Sequence, residues 1–139
     1  QRRFHSIESF QDYFDYYWSH AKKFATNIEN QKNSIQRIVE YIDHHYYEDI
    51  NRSILADMVY LSADHLARIF KKETGETLVK YITDKRINAA KSLLSQTNIS
   101  ISQVSCQVGY DNYSYFTKIF KQRTGLSPGD YRKTYQNKM

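Results

Sequence analysis

The seven letters IFKKETG at 69–75 return as IFKQRTG at 119–125 in a chain of 139 residues. A phrase repeated at this length points to one supersecondary unit built twice. Two of only four glycines close the two phrases, and glycine ends a helix in the left-handed conformation without steric cost. The phrases therefore predict the last turns of two equivalent helices, and what precedes each should also be equivalent.

The flanking residues bear out that expectation. Residues 52–59 predict a short helix in which Ile54, Leu55, Met58 and Val59 share a face. Ser62 then caps ADHLARIFKKET, with Leu66, Ile69 and Phe70 inward and Gly75 as the stop. Thr77 caps a longer helix over about 77–95, whose inward stripe is expected at Leu78, Ile82, Ala89 or Ala90, and Leu93. The plan then restarts. Ser100 and Gln103 form a capping box for a short helix of Ile101, Val104, Ser105 and Val108 that ends at Gly109, with Val104, Ser105 and Val108 inward. Asn112 caps YSYFTKIFKQRT, with Phe116, Ile119 and Phe120 inward and Gly125 as the stop, and Ser127-Pro128 opens a last helix. Each unit reads short helix, tight turn, longer helix, glycine stop, at about 52–75 and again at 101–125. The small residue of the first helix, Ala56 or Ser105, lets its partner helix approach closely. Tyr60 stands where the second unit has Gly109, so the first turn is made without glycine's freedom.

With one proline, four glycines and many Ile, Leu, Tyr and Phe, the chain is expected to be all-α. A helix over about 35–46 carries Ile35, Ile38, Val39 and Ile42 at helical spacing. The single Cys106 excludes an internal disulfide, and no run of about 18 apolar residues could span a membrane. No signal-peptide pattern appears, and a cytoplasmic location is expected. Gln1 is not an initiator methionine, which leads to the expectation of a fragment whose natural start, and an upstream domain, are missing.

Enzymatic readings find little support. Cys106 has no histidine placed beside it by local spacing, and His44-His45 point about 100° apart rather than forming the i, i+4 pair that metal sites favour. No nucleophile elbow, phosphate loop or cofactor motif occurs. No catalytic residue, metal or cofactor is expected. The net charge is +5 with a pI near 9.2, and residues 34–139 carry 15 Lys/Arg against 11 Asp/Glu. That excess suits a polyanionic partner and also serves solubility.

Two helices joined by a tight turn describe a helix-turn-helix, whose second helix enters the DNA major groove. The outward set of the first long helix is Ala63, Asp64, Ala67, Arg68, Lys71 and Lys72; that of the second is Tyr113, Ser114, Thr117, Lys118, Lys121 and Gln122. Any amphipathic surface helix also shows lysines outward, so a helical protein-interaction module remains an alternative. The duplication favours DNA, because two such helices on a rigid linker can enter successive major grooves about 34 Å apart.

Residues 49–133 resemble the DNA-binding domain of the AraC/XylS family. The matching motifs are LS at 61–62, LARIFKKETG, YITDKRINAAKSLL and VGYDNYSYFTKIFKQRTGLSPGDYR. The resemblance implies a domain over 34–139 of seven helices in two helix-turn-helix subdomains joined by a long linker helix. It implies transcription regulation on double-stranded promoter DNA, with RNA polymerase as a further partner. It also implies that bases are read by Asp64, Ala67 and Arg68 and by Tyr113, Ser114, Thr117 and Lys118, with Ser62, Lys71, Lys72, Asn112 and Lys121 on the DNA backbone. Gln103, Ser105 and Tyr110 depart from the Glu, Ala and Phe usual in that family.

Residues 1–33 lie outside that match and form an amphipathic linker or dimerisation segment. Ile7, Phe14, Ala21 and Ile28 recur every seven residues, with Phe10, Tyr17 and Phe24 three after, a heptad seam with aromatic knobs. The register runs on into Ile35, Ile38 and Ile42, either as one long helix or as two meeting near Asn30–Asn33. Phe10, Phe14, Tyr17 and Phe24 are the candidates for homodimer contacts; the other reading packs the stripe onto the same polypeptide as a lid. Such a layout is similar to the linker of YesN-type response regulators, which implies an upstream receiver domain. The alternative is a small-molecule-sensing domain, as in sugar-responsive family members.

Overall fold

Helix ends are decided by caps, and nearly every expected cap is formed. The computed structural model describes the backbone of residues 7–136 and the side chains of residues 11–136. The seam positions Ile7 and Phe10 therefore have side chains outside the described residues. Seven helices and no strand occur among the described residues: α1 (Ile7–His45), α2 (Arg52–Met58), α3 (Ala63–Thr74), α4 (Leu78–Gln96), α5 (Ile101–Gln107), α6 (Tyr113–Thr124) and α7 (Pro128–Tyr135). Ser62, Thr77, Ser100, Asn112 and Ser127 each accept a hydrogen bond from the backbone N–H three residues on, satisfying a donor the first turn leaves free. The Gln103 side chain closes the reciprocal bond of the capping box. Gly75 and Gly125 sit at φ 79° and 81° and end α3 and α6 alike.

α1 is one unbroken helix of 39 residues, so no junction occurs at 30–33. Its two halves live differently. Ile35, Ile38 and Ile42 are buried with Leu55, Ala56, Leu66 and Phe70 in a first core. Residues 11–30 of the same helix are exposed throughout. The aromatic stripe is not a lid on the described part of the chain.

A second core joins Ile87, Ala90 and Leu94 of α4 to Val104, Val108, Phe116 and Phe120. The long helix α4 belongs to both cores, and it does so with two faces. At about 100° per residue, Leu78 and Ile82 of the first core lie close together around the helix. Ile87, Ala90 and Leu94 of the second core lie about 120–180° around from Leu78. Of the stripe expected from sequence, Ala90 rather than Ala89 is the buried alanine, and Leu93 is corrected: it is only half-buried, and Ile87, Ala90 and Leu94 carry the second core. Ile54, expected inward on α2, is 42% exposed; a two-turn helix with four apolar residues can bury only part of them.

The two turns show why one unit needs glycine and the other does not. Tyr60 adopts φ 58° with its side chain 92% exposed, so nothing but its own backbone opposes it. Gly109, at φ 106°, lies under the Arg86 guanidinium: a Cβ there would come within 2.9 Å of Arg86 Nε and 3.1 Å of the Tyr47 carbonyl oxygen. The left-handed residue is costly in the first turn and sterically enforced as glycine in the second. Tyr60→Gly is expected to raise the unfolding free energy by about 0.5–1 kcal/mol, the relieved strain less glycine's added chain entropy. Gly109→Ala is expected to lower it by more. Denaturant unfolding checks both, and a destabilised Tyr60→Gly protein would contradict the reading of that turn.

Candidate nucleic-acid interface

Each unit buries one side of its second helix and leaves the other in solvent. In α3, Leu66, Ile69 and Phe70 are buried while Asp64, Arg68, Lys71 and Lys72 are exposed and Ala67 is half-buried. In α6, Phe116 and Phe120 are buried while Tyr113, Ser114, Lys118 and Lys121 are exposed. Most of the outward positions expected from sequence are thus exposed, while Ala63, Ala67 and Thr117 are half-buried and Ala63 packs against the first core. Ser62 and Asn112 are exposed and serve as N-caps, bonding the backbone N–H groups of His65 and Tyr115. They hold the first turns of α3 and α6, where Asp64, Tyr113 and Ser114 sit. The Thr117 hydroxyl donates back to the carbonyls of Tyr113 and Ser114 at 3.0 and 2.9 Å. That commits its proton to the helix and leaves the methyl, and the oxygen as an acceptor, to offer a partner.

Two open grooves connect the two helices along one side of the molecule. The first, about 580 Å³, is lined by Ala67, Arg68 and Lys71 of α3, Arg52 of α2 and Thr77, Leu78 and Val79 at the start of α4. The second, about 410 Å³, is lined by Arg52, Leu78 and Val79 again, with Arg86 of α4 and with Tyr110 and Tyr115 of the second unit among the rest. Arg52 and Val79 border both. A continuous strip therefore runs from the cationic face of α3, past the α2 N-terminus, to the first turn of α6. Arg52 and Tyr115 were missed by sequence reasoning. Arg52 follows the Asn51 cap of a short helix that looks purely structural in sequence, and only the folded unit brings it beside Arg68.

Two phenols near this face are shifted, and one of them, Tyr110, lines the second groove. Burial, with the Asp43 carboxylate accepting from its hydroxyl at 2.9 Å, pushes the Tyr81 phenol up to about 12. Burial likewise pushes the Tyr110 phenol up. Cys106 is exposed on α5. Among the described residues no group of three or more His, Cys, Asp or Glu side chains is placed to hold a metal ion, and no helix is long and apolar enough to cross a membrane.

Comparison with known proteins agrees with this geometry. The helix-turn-helix domain family matches residues 55–134. The bifunctional transcriptional activator/DNA repair enzyme AdaA of Bacillus subtilis is 41% identical over 99 residues, which is 71% of this chain and 47% of that protein. The chain thus spans about half the length of that curated relative. Among solved structures, the C-terminal domain of AraT, a response regulator from Geobacillus stearothermophilus, superposes with a TM-score of 0.73 at 31% identity, covering 76% of this chain and 88% of that one. The DNA-binding domain of AdpA, a global transcriptional factor solved in complex with a target DNA, gives 0.69 at 25% identity, covering 73% and 91%. Seven helices, two repeated units with outward cationic second helices, and these matches lead to one conclusion: the chain belongs to the AraC-type helix-turn-helix family, the DNA-binding domains of transcriptional regulators.

Proposed function

We propose that this domain regulates transcription by reading double-stranded promoter DNA with α3 and α6 in two successive major grooves. The observation that carries the reading is the continuous strip joining Arg68 and Lys71 to Tyr115 through Arg52 and Val79. Base edges would be met by Asp64, Ala67 and Arg68 in one groove and by Tyr113, Ser114, Thr117 and Lys118 in the next. Lys71, Lys72, Lys121, Ser62 and Asn112, joined by Arg52, would hold phosphates. Arg68 is the long planar donor of the first unit and suits a two-bond contact to guanine. The reading assigns no catalysis to this segment and places it in the cytoplasm, with RNA polymerase as the partner that a promoter-bound regulator meets. An upstream receiver domain, in a two-component system, is the preferred source of control; a small-molecule-sensing domain is the alternative.

The exposed half of α1 supports a homodimer. Phe14, Tyr17 and Phe24 stand 55%, 56% and 67% exposed along one stripe. The flanking positions Gln11, Tyr13, Trp18, His20, Ala25 and Asn27 include no carboxylate, Lys or Arg. A second copy of the helix can therefore approach without like-charge pairs, whereas Asp12, Asp15, Lys22 and Lys23 keep to the far side. The C-terminal half of the same register is covered by the chain's own α2 and α3, so the paired stretch ends near residue 31. Sedimentation should find a dimer that becomes monomeric when Phe10, Phe14, Tyr17 and Phe24 are made polar. An unmodified chain already monomeric at high concentration would exclude this interface.

DNA reading is tested by competition on every single-base variant of a selected site. Arg68→Ala is expected to cost about 1–3 kcal/mol and relax the preference at one base pair. Lys72→Ala should weaken all sequences alike and reduce the salt slope by about 1. A uniform loss in Arg68→Ala with an unchanged preference profile would confine Arg68 to the backbone and leave base reading to α6.

A further inference from the structure

The two cores share little besides α4, and Arg86 sits where that helix passes from one to the other. Around the helix axis it lies at about 80° from Leu78, between the face given to the first core and the face given to the second. Its guanidinium touches both units. Nε donates to the Tyr46 carbonyl at 2.7 Å and Nη2 to the Glu48 carbonyl at 2.8 Å, gripping the loop between α1 and α2. Its central carbon lies 5.1 Å from the centre of the Tyr110 ring, and Gly109 passes beneath it with no room for a Cβ. Tyr110 is itself 7% exposed and held from below, because the Ser105 hydroxyl donates to its carbonyl at 2.8 Å. Its phenol also engages Thr83 of α4. The turn of the second helix-turn-helix is thereby fastened to a residue that is fastened to the loop entering the first.

The geometry points to Arg86 as a positioning residue that fixes the separation and rotation of α3 relative to α6, and so makes the protein specific for the spacing of its two half-sites. This rests on the reading that the two units occupy neighbouring grooves. On DNA, one extra base pair between half-sites moves the second by about 3.4 Å and turns it by about 34°. A joint locked by planar, two-pronged hydrogen bonds and a ring contact cannot follow that change, whereas one joined only by a helix can bend and twist. The other ties across the waist are weaker. Asp84 pairs with Arg123 of α6, and Lys85 with Asp43 at 3.1 Å, but both pairs are partly exposed and so contribute little. Arg86, half-buried, is the one of these that meets both units, bonding two carbonyls on one side and lying over the Tyr110 ring on the other. Lysine would not replace it, since an ammonium cannot bridge two carbonyls in a fixed fork.

Two measurements test this. In the first, duplexes carry a selected site whose half-sites are moved by −1, 0, +1 and +2 base pairs. The unmodified chain is expected to lose about tenfold in affinity for each step away from the best spacing, in keeping with the cost of misplaced bidentate contacts. In Arg86→Gln that penalty should shrink to about twofold, with the single-base preference within each half-site retained. In the second, spin labels at Glu73→Cys on α3 and Gln122→Cys on α6, in a Cys106→Ser background without DNA, report the distance distribution between the helices. It should broaden in Arg86→Gln. Arg86→Lys, which keeps the charge, should show the same two changes and serves if the glutamine variant does not fold. An unchanged spacing profile with an unchanged distribution overturns the proposal. So does a uniform loss of affinity at every spacing, which would make Arg86 a phosphate contact. If the unmodified chain binds no duplex while the distribution still broadens, the DNA reading falls and the mechanical role of Arg86 stands.

Discussion

Everything on the side that carries α3, α6 and the two grooves depends on one helix being buried twice. α2 and α5 are each seven residues long, too short to persist in water without packing. Each is held against its partner helix by a core that α4 helps to close, Leu78 for the first and Ile87, Ala90 and Leu94 for the second. α7 completes the second core from the far end: its Arg132 donates from Nε to the Leu94 carbonyl at 3.1 Å. Because the two sets of apolar residues point to different sides of α4, the angle between the two units is written into the spacing of residues along that helix. The orientation of α3 relative to α6 follows from where its apolar face changes sides, near residues 83–86.

The duplication has drifted where drift is tolerated. The glycine stops and the N-caps of α3 and α6 have equivalents in both units, since each satisfies backbone groups that no other residue reaches. The first turn carries an exposed Tyr60 in a left-handed conformation, and the second cannot, because Arg86 occupies the space. Ser105, a departure from the family pattern, is accommodated because its buried hydroxyl donates to the backbone carbonyl of residue 110, which any residue there supplies. A serine buried at 1% exposure without such an acceptor would leave a desolvated donor unpaired, at about 1–3 kcal/mol.

The local grammar was legible in the sequence, because caps, stops and the inward positions of α3, α5 and α6 are set by neighbours three or four residues away. What was hidden depends on contacts between distant segments. The α4 stripe was misplaced at Leu93 because a single periodic face was assumed, and two cores on two sides break that periodicity. Arg86 reads in sequence as one more charge in YITDKRINAAKSLL, and its carbonyl acceptors lie about forty residues earlier. Arg52 and Tyr115 share a groove only once both units are docked on α4. In the N-terminal segment the heptad was visible, but its division into a half covered by the chain and a half left in solvent was not.

The central claim is that one rigid body presents two reading helices to the same side of a duplex. Hydroxyl-radical protection of a selected site tests it most directly. The account predicts two protected patches on one face of the duplex, their centres about 10–10.5 base pairs apart, with the patch of the altered unit lost first when one unit's outward residues are replaced. A single patch of a few base pairs, or two patches on opposite faces, would contradict it.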